Sequence, residues 1–280
     1  MRRLIVCTLM ALAGPAAAQN FPAAAWAPLP CGAAVMTDRF QDQVGAFLER
    51  DIVGDAGSAA GFLASDATFL YLRLRLDQDP APAGVLKPFS WGFEFDLDNN
   101  TSTYELLVAV NGSTSQVAIY KNTVTTLPND PADPADLPAV ATFPFATHGR
   151  SVVAAGSMFG TDNDFFLDLA VPWSALAPLG VTPSSSVLIW AASSMTDTAL
   201  NGDFACHDGV NGPPKLSALP TTRMVIDPNA SVDGGVADGG PIIRAIEGGP
   251  GCDFGGTGPF SSLAVFSLLV LAVGLRQRRQ

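Results

Sequence analysis

Leu70, Leu72, Leu74 and Leu76 alternate with Phe69, Tyr71, Arg73 and Arg75. A period of two sends successive side chains to opposite faces, so the spacing predicts a strand over 67–76 with leucines inward and arginines on the other face. Gly61–Ser65 reads as its partner across a turn at Asp66. The alternation returns over 90–97, where Trp91, Phe93, Phe95 and Leu97 stand against Gly92, Glu94 and Asp96. Strands at 104–110 and 116–121 follow, separated by a turn near the Asn111-Gly112 dipeptide. Others are expected at 139–147, 151–158, 164–171 and 186–193, the last apolar on both faces, with an edge at 224–226. Four prolines over 127–138 exclude helix and strand interior and leave an exposed loop. Pro172-Trp173-Ser174-Ala175-Leu176 breaks a strand and starts one helical turn. Residues 20–50 form an extended, Pro/Ala-rich lead-in, with room for a short turn at 44–50. Short strands with frequent turn signals and no sustained helical period predict an all-β, antiparallel β-sandwich.

The ends speak of address. Arg2 and Arg3 precede a short apolar run, and Ala16-Ala17-Ala18 offers small residues for signal peptidase, so residues 1–18 are expected to be a signal peptide. Residues 19–226 are then an ectodomain, 227–251 a Gly/Asp-rich linker and 252–280 a sorting tail. In that tail Cys252 is followed by the apolar run 260–275 and by Arg276, Arg278 and Arg279. The run has 16 residues, short of the roughly 20 that span a bilayer until the glycines before it are counted. Basic residues past its end fit a cytoplasmic terminus.

Of the four cysteines, Cys7 lies in the signal peptide and Cys252 in the tail. In an exported chain the remaining pair, Cys31 and Cys206, predicts a disulfide, with two free thiols as the alternative. The chain carries 15 basic and 26 acidic residues, a formal charge of −11. Removing both ends leaves about 10 basic and 25 acidic groups. Such a surface repels nucleic acid and favours solubility and divalent cations.

The tail residues Cys252, 260–275, Arg276, Arg278 and Arg279 resemble MYXO-CTERM sorting signals of myxobacterial surface proteins; a GlyGly-CTERM-like tail is the second pattern they fit. The resemblance implies export and sorting machinery acting on both termini, processing near Cys252, a membrane helix before processing, and retention at the cell surface or outer membrane. Asp51-Ile52-Val53-Gly54-Asp55 with 67–73, and Phe166 to Leu176 with its Pro-Trp corner, resemble family 9 carbohydrate-binding and DOMON-like modules. That resemblance implies a sandwich that binds an extracellular ligand, often a glycan. The paired aromatic clamp of those families has no counterpart that maps onto this chain.

Asp96, Asp98 and Asn100 alternate hard oxygen ligands at a strand end, with Glu105 close behind. Calcium takes six to eight such oxygens, so these four residues are its candidate ligands. The same residues also suit a β-turn whose Asx side chains cap their own backbone. Leu107 stands where an EF-hand would need its bidentate Glu. Arg73 and Arg75 are candidates to hold an anionic glycan and Trp91 to stack on a sugar, against a solvated or ion-paired face and a core indole respectively. His148 and His207 sit in no nucleophile motif and no phosphate loop is present, so no catalytic residue is named and a non-enzymatic surface protein is expected. A structural or adhesion protein is the rival reading, and a hydrolase with an unrecognised carboxylate pair the third.

Overall fold

The computed structural model describes residues 21–22, 26–43, 45, 47–208 and 213–226. The signal peptide, the linker from 227 onward, Cys252, Arg276, Arg278 and Arg279 lie outside the described residues. Fourteen strands are described: β1 Ala27–Pro28, β2 Pro30–Cys31, β3 Ala34–Val35, β4 Gly61–Ser65, β5 Phe69–Leu76, β6 Ser90–Asp96, β7 Leu106–Asn111, β8 Gln116–Lys121, β9 Ala141–Pro144, β10 Gly149–Val153, β11 Phe165–Pro172, β12 Ser186–Ser194, β13 Asp203–Phe204 and β14 Met224–Val225. One sheet runs β1-β4-β5-β11-β10; the other runs β13-β12-β6-β7-β8-β9, with β14 also on β12. Every pairing is antiparallel. Among the described residues no helix is long and apolar enough to cross a membrane.

The leucines of β5 are all fully buried. Register sets Leu70, Leu72 and Leu74 opposite Val171, Leu169 and Leu167 of β11. Trp91, Phe93 and Phe95 of β6 join the same apolar cluster, as do Val108 of β7, Ile119 of β8 and Ile189 of β12. Both sheets therefore feed one core, a β-sandwich-like all-β fold. Burial of each large apolar side chain contributes about 1.5–3 kcal/mol toward ordering the chain.

The second faces are covered as well. Leu107, Ala109, Tyr120, Leu188 and Trp190 form a second cluster with Ala135, Leu200, Phe204 and Leu216 from the long loops. The loop over 127–138 is held by Asp133, whose Oδ1 accepts from the Thr126 and Leu127 amides at 2.7 and 2.6 Å. Tyr71, Ala64 and Ala170 pack beneath Phe21 and Trp26 from the lead-in.

Four segments differ from the sequence reading. The lead-in is not one extended run: it holds β1 on the sheet edge and the β2–β3 hairpin. The strand expected over 139–147 ends at Pro144, which has no N–H to continue the ladder, and 145–148 makes a helical turn. The strand expected over 151–158 is β10, which ends at Val153 before a turn with Gly156 at φ 79°. The arginine face of β5 is enclosed rather than solvated: Tyr71 is 3% and Arg75 6% exposed.

Candidate functional site

Arg73 and Arg75 point into an aromatic cover. The Arg73 guanidinium lies 4.0 Å from the Trp26 ring centroid and 4.2 Å from that of Phe166, and Arg75 lies 4.6 Å from Phe166. Arg73 donates through Nε and Nη2 to the two Asp168 oxygens at 2.6 and 2.8 Å. Arg75 Nε donates to the Ala59 carbonyl at 3.0 Å. Both residues are engaged inside the protein, a fork on a carboxylate and faces on rings. Trp91 is a core residue, 1% exposed, whose indole N–H donates to the Glu49 carbonyl at 2.9 Å. Arg75 and Trp91 are buried, and Arg73 keeps 12% of its side chain exposed. Sequence alternation placed them on faces but could not say what covers those faces.

The 96–105 turn is built from its own side chains. Asp96 Oδ1 accepts from the Asn99 amide at 2.6 Å, and Asp98 Oδ1 accepts from the Asn100 amide at 2.8 Å. Asn100 Oδ1 accepts from the Ser102 amide at 3.3 Å, and Glu105 Oε2 from the Leu97 amide at 2.7 Å. Oxygens of Asp96, Asp98 and Glu105 lie within 4.8 Å of one another. Arg223 already supplies a cation: its Nη2 is 2.9 Å from Asp96 Oδ1. Asp96 Oδ2 is buried and accepts no hydrogen bond among the described residues. Burial pushes the Glu105 carboxyl up, Asp98 and Asp96 add to that, and the Leu97 amide opposes it.

A second carboxylate group escaped the sequence reading. Asp38, Asp42 and Asp203 bring one oxygen each within 4.8 Å of the others. Asp38 follows the β2–β3 hairpin and is bridged to Gly54; Asp203 opens β13. Their separation in sequence hides them from any motif. Burial, then the charges of neighbouring carboxylates, pushes Asp38 far up; burial also raises Asp203, against the Ile52 amide. Nearby, Asp51 is pushed up to about 7, mainly by burial, while the Gln41 amide holds it down. A glycosidase needs two carboxyls open to a sugar, and Asp38 and Asp203 are 2% and 4% exposed.

Cys31 and Cys206 form a disulfide, with Cα atoms 5.9 Å apart and 175 residues between them in sequence. His148 stacks on Phe143 at 4.6 Å between centroids, and its Nδ1 shares a hydrogen bond with the Thr147 hydroxyl at 2.9 Å. His207 meets Phe204 edge-on at 6.4 Å.

A surface groove of about 660 Å³ opens between the 79–86 loop and the 144–151 turn, lined in part by Asp79, Phe145, Arg150 and Ser151. A Cβ at Gly149 would come within 2.1 Å of the Phe145 ring, so the glycine makes room for the ring to lie there. Arg150 gives its Nε to Asp168 Oδ2 at 2.7 Å and keeps 34% of its side chain exposed. Asp79 Oδ1 accepts from the Ser151 hydroxyl at 2.6 Å. No protein-family model matches this chain, and neither a curated protein nor a solved structure matches it.

Proposed function

We propose that the chain is an exported, surface-anchored, non-catalytic β-sandwich module that binds an extracellular carbohydrate in the groove beside Phe145. The observation that carries this reading is the groove's chemistry. Phe145 lines the groove with an aromatic ring suited to the apolar face of a sugar, while Arg150 can donate to sugar oxygens and Asp79 can accept from sugar hydroxyls. The Arg73, Arg75 and Trp91 set expected from the sequence is enclosed, and the groove takes its place. Export is supported by the Cys31–Cys206 disulfide, which persists in oxidising compartments. Anchoring is read from the tail at Cys252, Arg276, Arg278 and Arg279, with sorting machinery as the partner.

Calcium belongs to this reading at Asp96, Asp98 and Glu105, as an exchange in which the ion displaces the Arg223 guanidinium from Asp96 Oδ1. The test is a glycan-array screen of the purified full chain in detergent, in calcium and in chelator, repeated with Phe145→Ala. Saturable binding to one glycan class that Phe145→Ala weakens at least about tenfold supports the groove. Folded protein that binds no glycan, or a variant that binds as well as wild type, removes it.

A further inference from the structure

We propose that Asp38, Asp42 and Asp203 form a binding site for a hard divalent cation of the calcium class, distinct from the 96–105 turn and from the groove. The first support is convergence: three carboxylates from two remote segments meet within 4.8 Å. The second is an orphan acceptor. Asp38 is 2% exposed, its Oδ1 accepts only the adjacent Arg39 amide at 3.1 Å among the described residues, and its Oδ2 accepts nothing. A buried carboxylate oxygen without a donor is destabilising, and a coordinated cation would offset that cost.

The local charge balance points the same way. Asp203 and Asp42 act on Asp38, with Asp208 beyond them, and Asp51 acts on Asp203. The nearby buried cation is Arg50, which feels the Asp203 charge while its guanidinium lies 5.4 and 5.3 Å from the Phe47 and Phe89 rings. One guanidinium does not balance this many carboxylates.

The donor set selects the ion. All three side chains present oxygen, no histidine is in the group, and the neighbouring Cys206 is spent in the disulfide. Oxygen ligands suit calcium, magnesium and manganese rather than zinc or copper. Asp203 accepts the Ile52 amide on Oδ2 at 2.6 Å and the Phe204 amide on Oδ1 at 3.0 Å, so each of its oxygens keeps a lone pair for a metal. An irregular set held by backbone bonds fits the flexible coordination of calcium better than the strict octahedron of magnesium.

Position gives the site a role. The Cys206 amide donates to the Thr37 carbonyl at 2.7 Å, and Cys31 is bonded to Cys206. The same two segments that the disulfide joins would be joined again by the ion, from Asp38 to Asp203. The cation would then fasten the lead-in to the edge of the sheet that carries β13.

The experiment is calcium titration of the purified full chain by calorimetry, with thermal unfolding followed in calcium and in chelator. Asp98→Asn reports on the 96–105 turn and Asp38→Asn on this site. Asparagine keeps an oxygen for the Arg39 amide and removes the buried charge. The expected result is calcium binding that survives Asp98→Asn and is weakened at least about tenfold when Asp38→Asn is added to that variant. Asp38→Asn should also melt higher than wild type in chelator and lower in calcium. A purely structural aspartate would not reverse sign in this way. Calcium binding by Asp98→Asn that is unchanged when Asp38→Asn is added to it overturns the proposal, as does the absence of any calcium response in wild type. A response lost in Asp98→Asn but kept in Asp38→Asn assigns the ion to the turn instead. Glycan binding is scored separately, so the groove can fail while this site stands.

Discussion

Arg73 grips Asp168 with two parallel hydrogen bonds of 2.6 and 2.8 Å while its guanidinium is stacked between the rings of Trp26 and Phe166. The two residues are direct register partners on β5 and β11. Asp168 is fully buried and takes a third bond from Arg150 on β10 at 2.7 Å. One carboxylate thus ties three neighbouring strands together, and Trp26 clamps the lead-in over them. A planar fork and a stackable face are both needed, which an ammonium cannot supply.

Arg73→Lys should therefore cost about 2–3 kcal/mol, and Arg73→Ala about 3–5 kcal/mol, because a buried carboxylate loses its main partner. Arg150 keeps Asp168 from being wholly unpaired, which places Arg73→Ala toward the lower end. Urea denaturation of the oxidised full chain measures both. A loss below about 0.5 kcal/mol for Arg73→Ala would mean that the pair behaves as an exposed one.

Replacing Cys206 with Ser, or Cys31 with Ser, should cost about 2–5 kcal/mol. The disulfide closes a long loop, and without it the Thr37 carbonyl to Cys206 amide bond is among the few polar ties from the lead-in to the segment after β13. The check is the urea midpoint of each variant, with limited proteolysis to ask whether cleavage moves into residues 26–40. Equal midpoints for variant and wild type would show that the packing, not the disulfide, fixes this segment.

Asp77 carries a pH signature. It is 2% exposed, its Oδ1 accepts no hydrogen bond, and its carboxyl is pushed up to about 6, chiefly by burial and then by the charges of Asp164 and Asp162. Arg75, which senses Asp164, is the cation on this side. An unfolded aspartate titrates near ~3.9, so between about pH 4 and 6 the folded state binds more protons than the unfolded one. Stability contributed by this group is present below that window and falls as pH rises through it. Asp77→Asn should flatten the decline and melt higher than wild type at pH 7. Unfolding curves at pH 4.5 and 7, taken in chelator, test it; parallel pH slopes for the two proteins would sink the assignment.

Legibility in the sequence followed the range of the forces involved. Period-two alternation is local, so β4, β5, β6 and β8 were readable, as was the Asp66 turn, where Asp66 Oδ1 accepts from the Thr68 and Phe69 amides at 2.7 Å each. The disulfide was readable because two cysteines stood alone once the ends were set aside. The two-residue strands β1, β2, β3 and β13 carry no period and exist because the chain passes a sheet edge or a hairpin there. The 96–105 carboxylates were visible because they are neighbours in sequence; that Arg223 meets Asp96 was not. Asp38 and Asp203 meet through tertiary contact alone, so no spacing could announce them. The covering of Arg73 by Trp26 belongs to the same class.

Glu94 offers the last test, and it concerns why β6 carries a charged residue where its neighbours are apolar. The side chain lies on the second face of its sheet, opposite Leu107 and Trp190 in register, and is 1% exposed. Among the described residues neither carboxyl oxygen accepts a hydrogen bond, and the Trp190 indole N–H on the same face has no acceptor. Burial pushes the carboxyl well up, and the charges of Asp130 and Asp133 push it further, so the neutral acid is favoured. A buried acceptor without a donor costs about 1–3 kcal/mol, whereas an apolar group of similar shape costs nothing of this kind. Glu94→Met should therefore stabilise the protein by about 1–3 kcal/mol in urea unfolding at neutral pH. Methionine is close to glutamate in length and flexible enough to fit among Leu107, Tyr104 and Trp190. A destabilised Glu94→Met protein would mean that the carboxyl holds a buried water or ion against the 127–138 loop; Glu94→Gln would then separate the two, since an amide can keep a water but not a cation's charge.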